Sequence, residues 1–276
     1  MLNGGALRIE IGARTDIGRV RKNNEDCLQV EPALNLCVLS DGMGGEAHGE
    51  VASQLAVNTV IDHCRTAAKS HDAPFLGERR SDLSEKTNQL ACSIRMANRA
   101  VFDMAGSNPE QKGMGATVVA AWIDTQRLSL AHVGDSRAYL LRQGALDQLT
   151  ADHSLVAEKV RIGIMTPQEA NESELQSILT RAVGATELVE VDADEQALID
   201  GDILLLCSDG LTRMVNDAVI ASTLAAFPSA QAAADRLIEL ANEGGGVDNV
   251  SAIVVRTKAD PPRFLDRVQF WKRTSR

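Results

Sequence analysis

Apolar and polar residues alternate over residues 7 to 14, the period of a half-buried strand. Leu28–Val30 and Leu36–Ser40 read as two further short strands, joined by a turn over Pro32–Asn35. From Glu46 to about Ala68 the spacing becomes helical, with Val51, Leu55, Val57, Val60 and Ile61 forming one apolar stripe. A polar stretch containing Pro74 and Gly77 follows, then a second helical pattern from about Ser81 to Ala105 on Leu90, Ile94, Ala97 and Val101. Strand patterns return at Thr117–Ile123, Leu128–Val133 and Ala138–Leu141, and Gln143-Gly144 reads as a hairpin tip. Residues 153 to 175 are polar and ambiguous and predict a surface excursion. Strands are expected at Leu188–Ala193 and Ile203–Cys207, helices at about 216–226 and 229–243, and a last strand at Val250–Arg256. Strands grouped with strands, and helices grouped in pairs, predict α+β layers in one domain and not a βαβ succession. Residues 259 to 276 fall outside the pattern. They start at Pro261-Pro262 and carry Arg263, Arg267, Lys272, Arg273 and Arg276 against Asp260 and Asp266, and so read as an appended basic tail, partly disordered.

Composition narrows the function classes. Of 276 residues, 44% are hydrophobic and 24% charged, as in soluble globular proteins. Aromatics are only 3%, so the core is expected to be aliphatic and the composition argues against a base-stacking platform. With 28 basic against 38 acidic side chains the net charge is −10, which argues against nucleic acid and anionic membrane as partners. An anionic substrate would then need a local positive centre. The best apolar runs, Val118–Trp122 and Ile203–Cys207, fall far short of the ~18 residues of a membrane span, and no secretory leader is visible at the N-terminus. Cys27, Cys37, Cys64, Cys92 and Cys207 are odd in number and scattered. They read as reduced thiols of a cytoplasmic protein.

The informative feature is where the aspartates fall. Asp41 follows an apolar strand and precedes Gly-Met-Gly-Gly; Asp209 follows Leu-Leu-Leu-Cys-Ser and precedes Gly210; Asp135 follows Val133-Gly134. Asp26 follows Asn23, Asn24 and Glu25 and precedes one strand, and Asp248, after Gly244–Gly246 and Val247, precedes another. Each alone suits an ordinary turn. Five carboxylates at strand ends suit a shared centre of hard divalent cations, because otherwise they would repel one another. Both readings stand on spacing alone. A dinucleotide loop at Gly42–Gly45 is disfavoured, since Asp41 would sit beside the pyrophosphate. No His-Glu-x-x-His, EF-hand, P-loop or Gly-x-Ser-x-Gly motif occurs.

Seven segments resemble, in order, those of the metal-dependent protein phosphatases (the PPM or type 2C serine/threonine phosphatases) of bacterial type. They are TDIGRVRKNNEDC from Thr15, LSDGMGGEAHGEVAS from Leu39, GMGATVVAA from Gly113, the run from Ala131 through Val156, LTRAVG from Leu179, LLLCSDGLTRMV from Leu204 and GGVDNVSAIVV from Gly245. The resemblance covers about residues 8 to 256. It implies a four-layer α-β-β-α sandwich, two central antiparallel sheets flanked by helix pairs, as a phosphatase domain over 1–258 with a flap segment at about 153–180.

The resemblance further implies that Asp26, Asp41, Asp209 and Asp248 ligate two Mn²⁺ or Mg²⁺ ions, with Asp41 bridging and the Gly42 carbonyl joining. Asp135 would serve a third ion, with Asp209 shared. Arg21 would grip the substrate phosphate, Glu25 would accept from and order metal-bound water, and Asn249 would support the site from behind the ligands. The implied reaction is hydrolysis of phosphoserine or phosphothreonine on proteins by a hydroxide activated between two ions. The expected partners are phosphorylated proteins and an opposing serine/threonine kinase, with the chain a monomer. A phosphorylated regulatory switch protein is an alternative substrate, and a metal-binding pseudophosphatase scaffold an alternative role. Met43 occupies the position of a histidine in eukaryotic relatives and is expected to pack, with His48 a possible substitute acid. His132 and His153 are expected to be structural, holding strands and the loop near Asp152. The flap departs from the usual His-Pro, having Asn171-Glu172-Ser173-Glu174 instead.

Overall fold

A computed structural model describes residues 7–44, 48–70, 72–171, 173 and 175–259. The first sheet holds β1 (Leu7–Asp16), β11 (Val250–Ala259), β10 (Ile203–Cys207), β7 (Arg137–Arg142) and β8 (Ala145–Gln148), in that order. The second holds β2 (Asp26–Glu31), β3 (Leu36–Met43), β5 (Val118–Asp124), β6 (Arg127–Val133) and β9 (Asp192–Ala197), with the two-residue β4 (Gly115–Ala116) pairing with β3. All of these pairings are antiparallel.

Why the sheets stack is written in the strands. Successive side chains leave opposite faces, so a strand buried on both sides must be apolar at every position. In β5, Val118, Ala120 and Trp122 pack on one side with α1 (His48–Lys69) and α2 (Glu85–Ser107), while Val119, Ala121 and Ile123 face the other sheet. In β10, Leu204 and Leu206 meet that inter-sheet layer. Ile203, Leu205 and Cys207 pack under α5 (Asp209–Thr212), α6 (Asp217–Ala226) and α7 (Ala230–Glu243). The result is helix, sheet, sheet, helix, with an aliphatic core whose largest fully buried side chain is Tyr139. The helices start on side-chain caps: Ser84, Asn216 and Ser229 each accept from a backbone N–H three residues on. Among the described residues no helix is long and apolar enough to cross a membrane.

The hairpin tip is where the pattern places it. Gln143 and Gly144 both take positive φ, as a two-residue primed turn requires. Four expectations shift. The helix expected from Ser81 starts at Glu85, because Ser84 caps it. The ambiguous stretch after residue 153 contains two short helices, α3 (Leu155–Arg161) and α4 (Pro167–Asn171). The strand expected at Leu188–Ala193 is displaced to β9, and Leu188 is 80% exposed. β9 is an edge strand that pairs only with β6, so its Asp-Ala-Asp-Glu-Gln-Ala sequence carries no apolar alternation; acidic side chains suit such an edge. The last strand runs to Ala259, past Arg256 and one residue into the expected tail. The remainder of that tail, residues 260–276, lies outside the described residues.

One glycine decides how closely α1 approaches β3. A Cβ on Gly42 would overlap the Gly49 carbonyl and come within 2.8 Å of the Glu25 carbonyl oxygen, and backbone cannot yield as a flexible side chain does. Gly42→Ala is therefore expected to cost about 3 kcal/mol or more, read as a lower midpoint in denaturant unfolding. A loss under about 1 kcal/mol would show that α1 is not tightly seated.

Candidate active site

The five aspartates come together at one end of the two sheets. Asp26 and Asp41 are direct cross-strand partners of β2 and β3, so their side chains stand side by side on one face. Asp209 opens α5 directly after β10, and Asp248 sits two residues before β11. Asp135 lies in the tight turn between β6 and β7. Asp26 is buried, while the other four are half-buried, so the cluster has a solvent-facing side.

Asp26 stitches the sheets together. Its Oδ2 accepts hydrogen bonds from Ser208 Oγ and Ser251 Oγ, both at 2.7 Å. Ser208 occupies the cap position of α5 yet makes no capping bond: its hydroxyl donates to Asp26, and its oxygen accepts from the Ser251 N–H at 3.0 Å. Thr117 Oγ1 accepts from the Asp41 backbone N–H at 3.0 Å and pairs with Ser136 Oγ at 2.7 Å, tying the Asp41 and Asp135 loops together.

What the carboxylates lack is more telling. Asp26 Oδ1 and Asp209 Oδ1 are buried without any hydrogen-bond partner, a costly state for a carboxylate oxygen. Burial, followed by repulsion from its neighbours, raises the carboxyl of Asp26 to about 7. The Asp135 carboxyl also rises to about 7, through burial and then Asp209. Asp41 is pushed well above the usual range by burial, Asp26, Asp209, Asp135 and Asp248, and Asp209 is raised chiefly by burial. Arg213 spans Asp209 at 2.5 Å and Asp248 at 3.4 Å, partly offsetting the negative charge. Orphaned hard oxygens in a carboxylate cluster fit a divalent-cation centre.

Arg21 lies at the rim. Its Nη2 donates to Asp248 Oδ2 at 2.8 Å while more than half of its side chain stays exposed. Asn249 fixes that rim: its Oδ1 accepts from the Glu25 N–H at 2.8 Å, and its Nδ2 donates to the carbonyls of Ile17 at 3.0 Å and Asn23 at 2.8 Å. The Glu25 carbonyl accepts from the Gly42 N–H and from Ser53 Oγ, so one segment braces both Asp26 and Asp41. Met43 lays its methyl group against Gly115 of β4, and His48 is half-buried at the start of α1.

The segment after β8 is anchored by histidines. The backbone N–H of His153 donates to the Gly134 carbonyl, and its Nδ1 accepts from the Gly134 N–H at 3.1 Å. That bond places the ring proton on Nε2, which lies 3.2 Å from Asp192 Oδ2. Arg181 holds Asp192 Oδ1 at 2.7 Å, and His132 stacks on His153 with ring centroids 4.7 Å apart. Among the described residues, His132, His153 and Asp192 have ligand atoms within 4.8 Å of one another. A metal on His153 Nε2 would force the proton onto Nδ1, against the Gly134 N–H. This trio is a structural clamp. Asp152, beside it, takes Arg137 in a two-pronged ion pair at 2.7 to 3.1 Å.

Residues 13–250 match the protein phosphatase 2C family. The chain belongs to that family. The serine/threonine protein phosphatase PstP of Mycobacterium tuberculosis is 41% identical over 248 residues, 90% of this chain. The match spans only 45% of PstP's own length. The serine/threonine phosphatase Stp of Listeria innocua is 38% identical over 245 residues, covering 88% of this chain and 93% of Stp. A crystal structure of the PstP catalytic domain in complex with two manganese ions superposes with a TM-score of 0.77 at 38% identity, covering 91% of this chain and 99% of that one. These likenesses establish the α+β sandwich of the phosphatase 2C family for this chain, and the family is metal-dependent. Sequence reasoning missed Ser208, Ser251, Thr117 and Arg213 around the aspartate cluster. The signal available was the serine directly before Asp209, which reads as an ordinary cap until its partner is known.

Proposed function

We propose that this chain hydrolyses phosphoserine and phosphothreonine on proteins, using Mn²⁺ or Mg²⁺ bound among its aspartates. The observation that carries the reading is the pair of unpartnered buried oxygens, Asp26 Oδ1 and Asp209 Oδ1, inside a carboxylate cluster rimmed by an exposed arginine. Asp26, Asp41, Asp209 and Asp248, with the Gly42 carbonyl, would hold two ions; Asp135, sharing Asp209, would hold a third. When bound, the ions supply positive charge to a −10 protein and activate water toward phosphorus. Arg21 uses one N–H on Asp248 and offers its remaining donors to the phosphate, a bidentate grip that lysine could not match. Glu25 and Asn249 hold the Arg21 segment against the aspartates. Met43 has no proton to give, so water, or His48 at the start of α1 in its stead, would protonate the leaving oxygen.

The catalytic domain in this reading covers residues 1–258, with a flap at about 153–180 clamped by His153, Asp192 and Arg181. Five free thiols suit a reducing cytoplasm, and a monomer working against a protein kinase completes the proposal. The deciding experiment follows phosphate release from a phosphothreonine peptide, with Mn²⁺ and with excess chelator. Turnover confined to the metal arm is expected; undiminished turnover in chelator would overturn the reading.

A further inference from the structure

The rim beside Arg21 is not only charged. Ile17, Val20 and Val247 are exposed to 38%, 65% and 42%, although large aliphatic side chains normally stay inside. They lie on two segments locked together: the Arg19 N–H donates to the Gly246 carbonyl at 2.7 Å, and Asn249 holds the Ile17 carbonyl. Asp16 Oδ1 accepts from the Gly18 N–H at 2.9 Å, and Gly18 takes φ +83°, with no room for a side chain against the Asp248 carbonyl. The aliphatic side chains are therefore held out on stiff backbone. Arg19 and Lys22 flank them, exposed and without an ion pair among the described residues, whereas Arg21 and Arg213 engage the aspartates.

We infer that this rim reads the sequence around the phosphorylated residue: an aliphatic side chain next to it packs on Val20, Ile17 and Val247, and acidic side chains further out meet Arg19 and Lys22. The inference rests on the phosphatase reading. Val20 directly precedes Arg21, and Val247 directly precedes Asp248, to which Arg21 donates, so a phosphoresidue held by Arg21 brings its neighbours to these two segments. Arginine is enriched at recognition surfaces, and exposed apolar side chains rimmed by polar ones mark interaction sites. In a chain of net charge −10, unpaired cations at the mouth select an acidic segment.

The test uses the full-length Mn²⁺-loaded chain and paired phosphothreonine peptides differing only in leucine or asparagine beside the phosphoresidue. The leucine peptide is expected to have a kcat/KM about tenfold higher. Val20→Ser should reduce that preference to about twofold and leave p-nitrophenyl phosphate hydrolysis unchanged. Arg19→Glu with Lys22→Glu should remove any advantage of acidic outer residues and flatten the salt dependence. Equal turnover of the peptides by the wild type, with p-nitrophenyl phosphate still hydrolysed, would overturn this inference alone. No turnover of any substrate would overturn the phosphatase reading along with it. A dimer that Val20→Ser dissociates would assign the patch to a second copy and overturn the inference.

Discussion

Asp41→Asn is expected to lower phosphopeptide kcat by on the order of 1,000-fold and, at the same time, to raise the melting temperature of the metal-free protein. The two effects share one cause. Asp41 is pressed by the charges of Asp26, Asp209, Asp135 and Asp248, and asparagine keeps its size while removing its charge. Without cations that removal relieves repulsion and the cost of burying a carboxylate. With cations it takes away a negative oxygen that would hold them. The backbone role of Asp41, donating to Thr117 Oγ1, survives the change. Asp26 is a poorer choice, because its Oδ2 accepts from two serines and an amide keeping those bonds would bury its nitrogen without an acceptor in the place of Oδ1. The checks are steady-state turnover in Mn²⁺ and thermal unfolding in chelator. Activity within tenfold of the wild type, or a less stable metal-free variant, would refute the account.

The α+β layering was legible because the central strands are buried on both faces and leave apolar runs such as Val118–Ile123 and Ile203–Cys207, while the two-sheet sandwich came from the resemblance. What escaped was structure with no hydrophobic signature. β9 is an acidic edge strand, and β8 is a short, mostly exposed return after the Gln143-Gly144 turn. The aspartates could be picked out from their position at strand ends, and the structure gathers all five. The groups that hold them could not: Ser208 and Ser251 lie 182 and 225 residues from Asp26, and a serine carries no mark of a distant partner. Arg213 was hidden for a similar reason. It is one helical turn from Asp209, where an ordinary i,i+4 surface pair would look the same. His132 and His153 were expected to hold strands and the loop near Asp152, and the clamp they form with Asp192 shows how.

The metal-free protein is expected to grow more stable as pH falls from 8 to 6.5, and the Mn²⁺-loaded protein less stable. Asp26 and Asp135 have folded-state carboxyls raised to about 7 from an ordinary 3.8, with Asp41 and Asp209 raised as well. Between those limits the native state binds more protons than the unfolded chain, so stability falls as pH rises through about 7 and recovers as it drops. Integrated from pH 8 to 6.5, a group titrating near 7 returns on the order of 1 kcal/mol, or about 2–4 °C for a domain of this size. The gains do not simply add, because protonating one aspartate relieves its neighbours. Asp192 does not interfere. Its hydrogen bonds from His153 and Arg181 depress its carboxyl, so its contribution is intact in this range and is lost only below the ordinary carboxylate range. His132, whose protonation burial resists, starts to oppose the trend as pH nears 6.5, where an unfolded imidazole is half protonated, which sets the lower limit of the measurement. Bound cations need the carboxylates ionised, so protons compete with them and the sign reverses. Parallel melting curves in chelator and in Mn²⁺ should therefore cross in their pH dependence, and curves of the same slope would mean that these aspartates do not bind the ions.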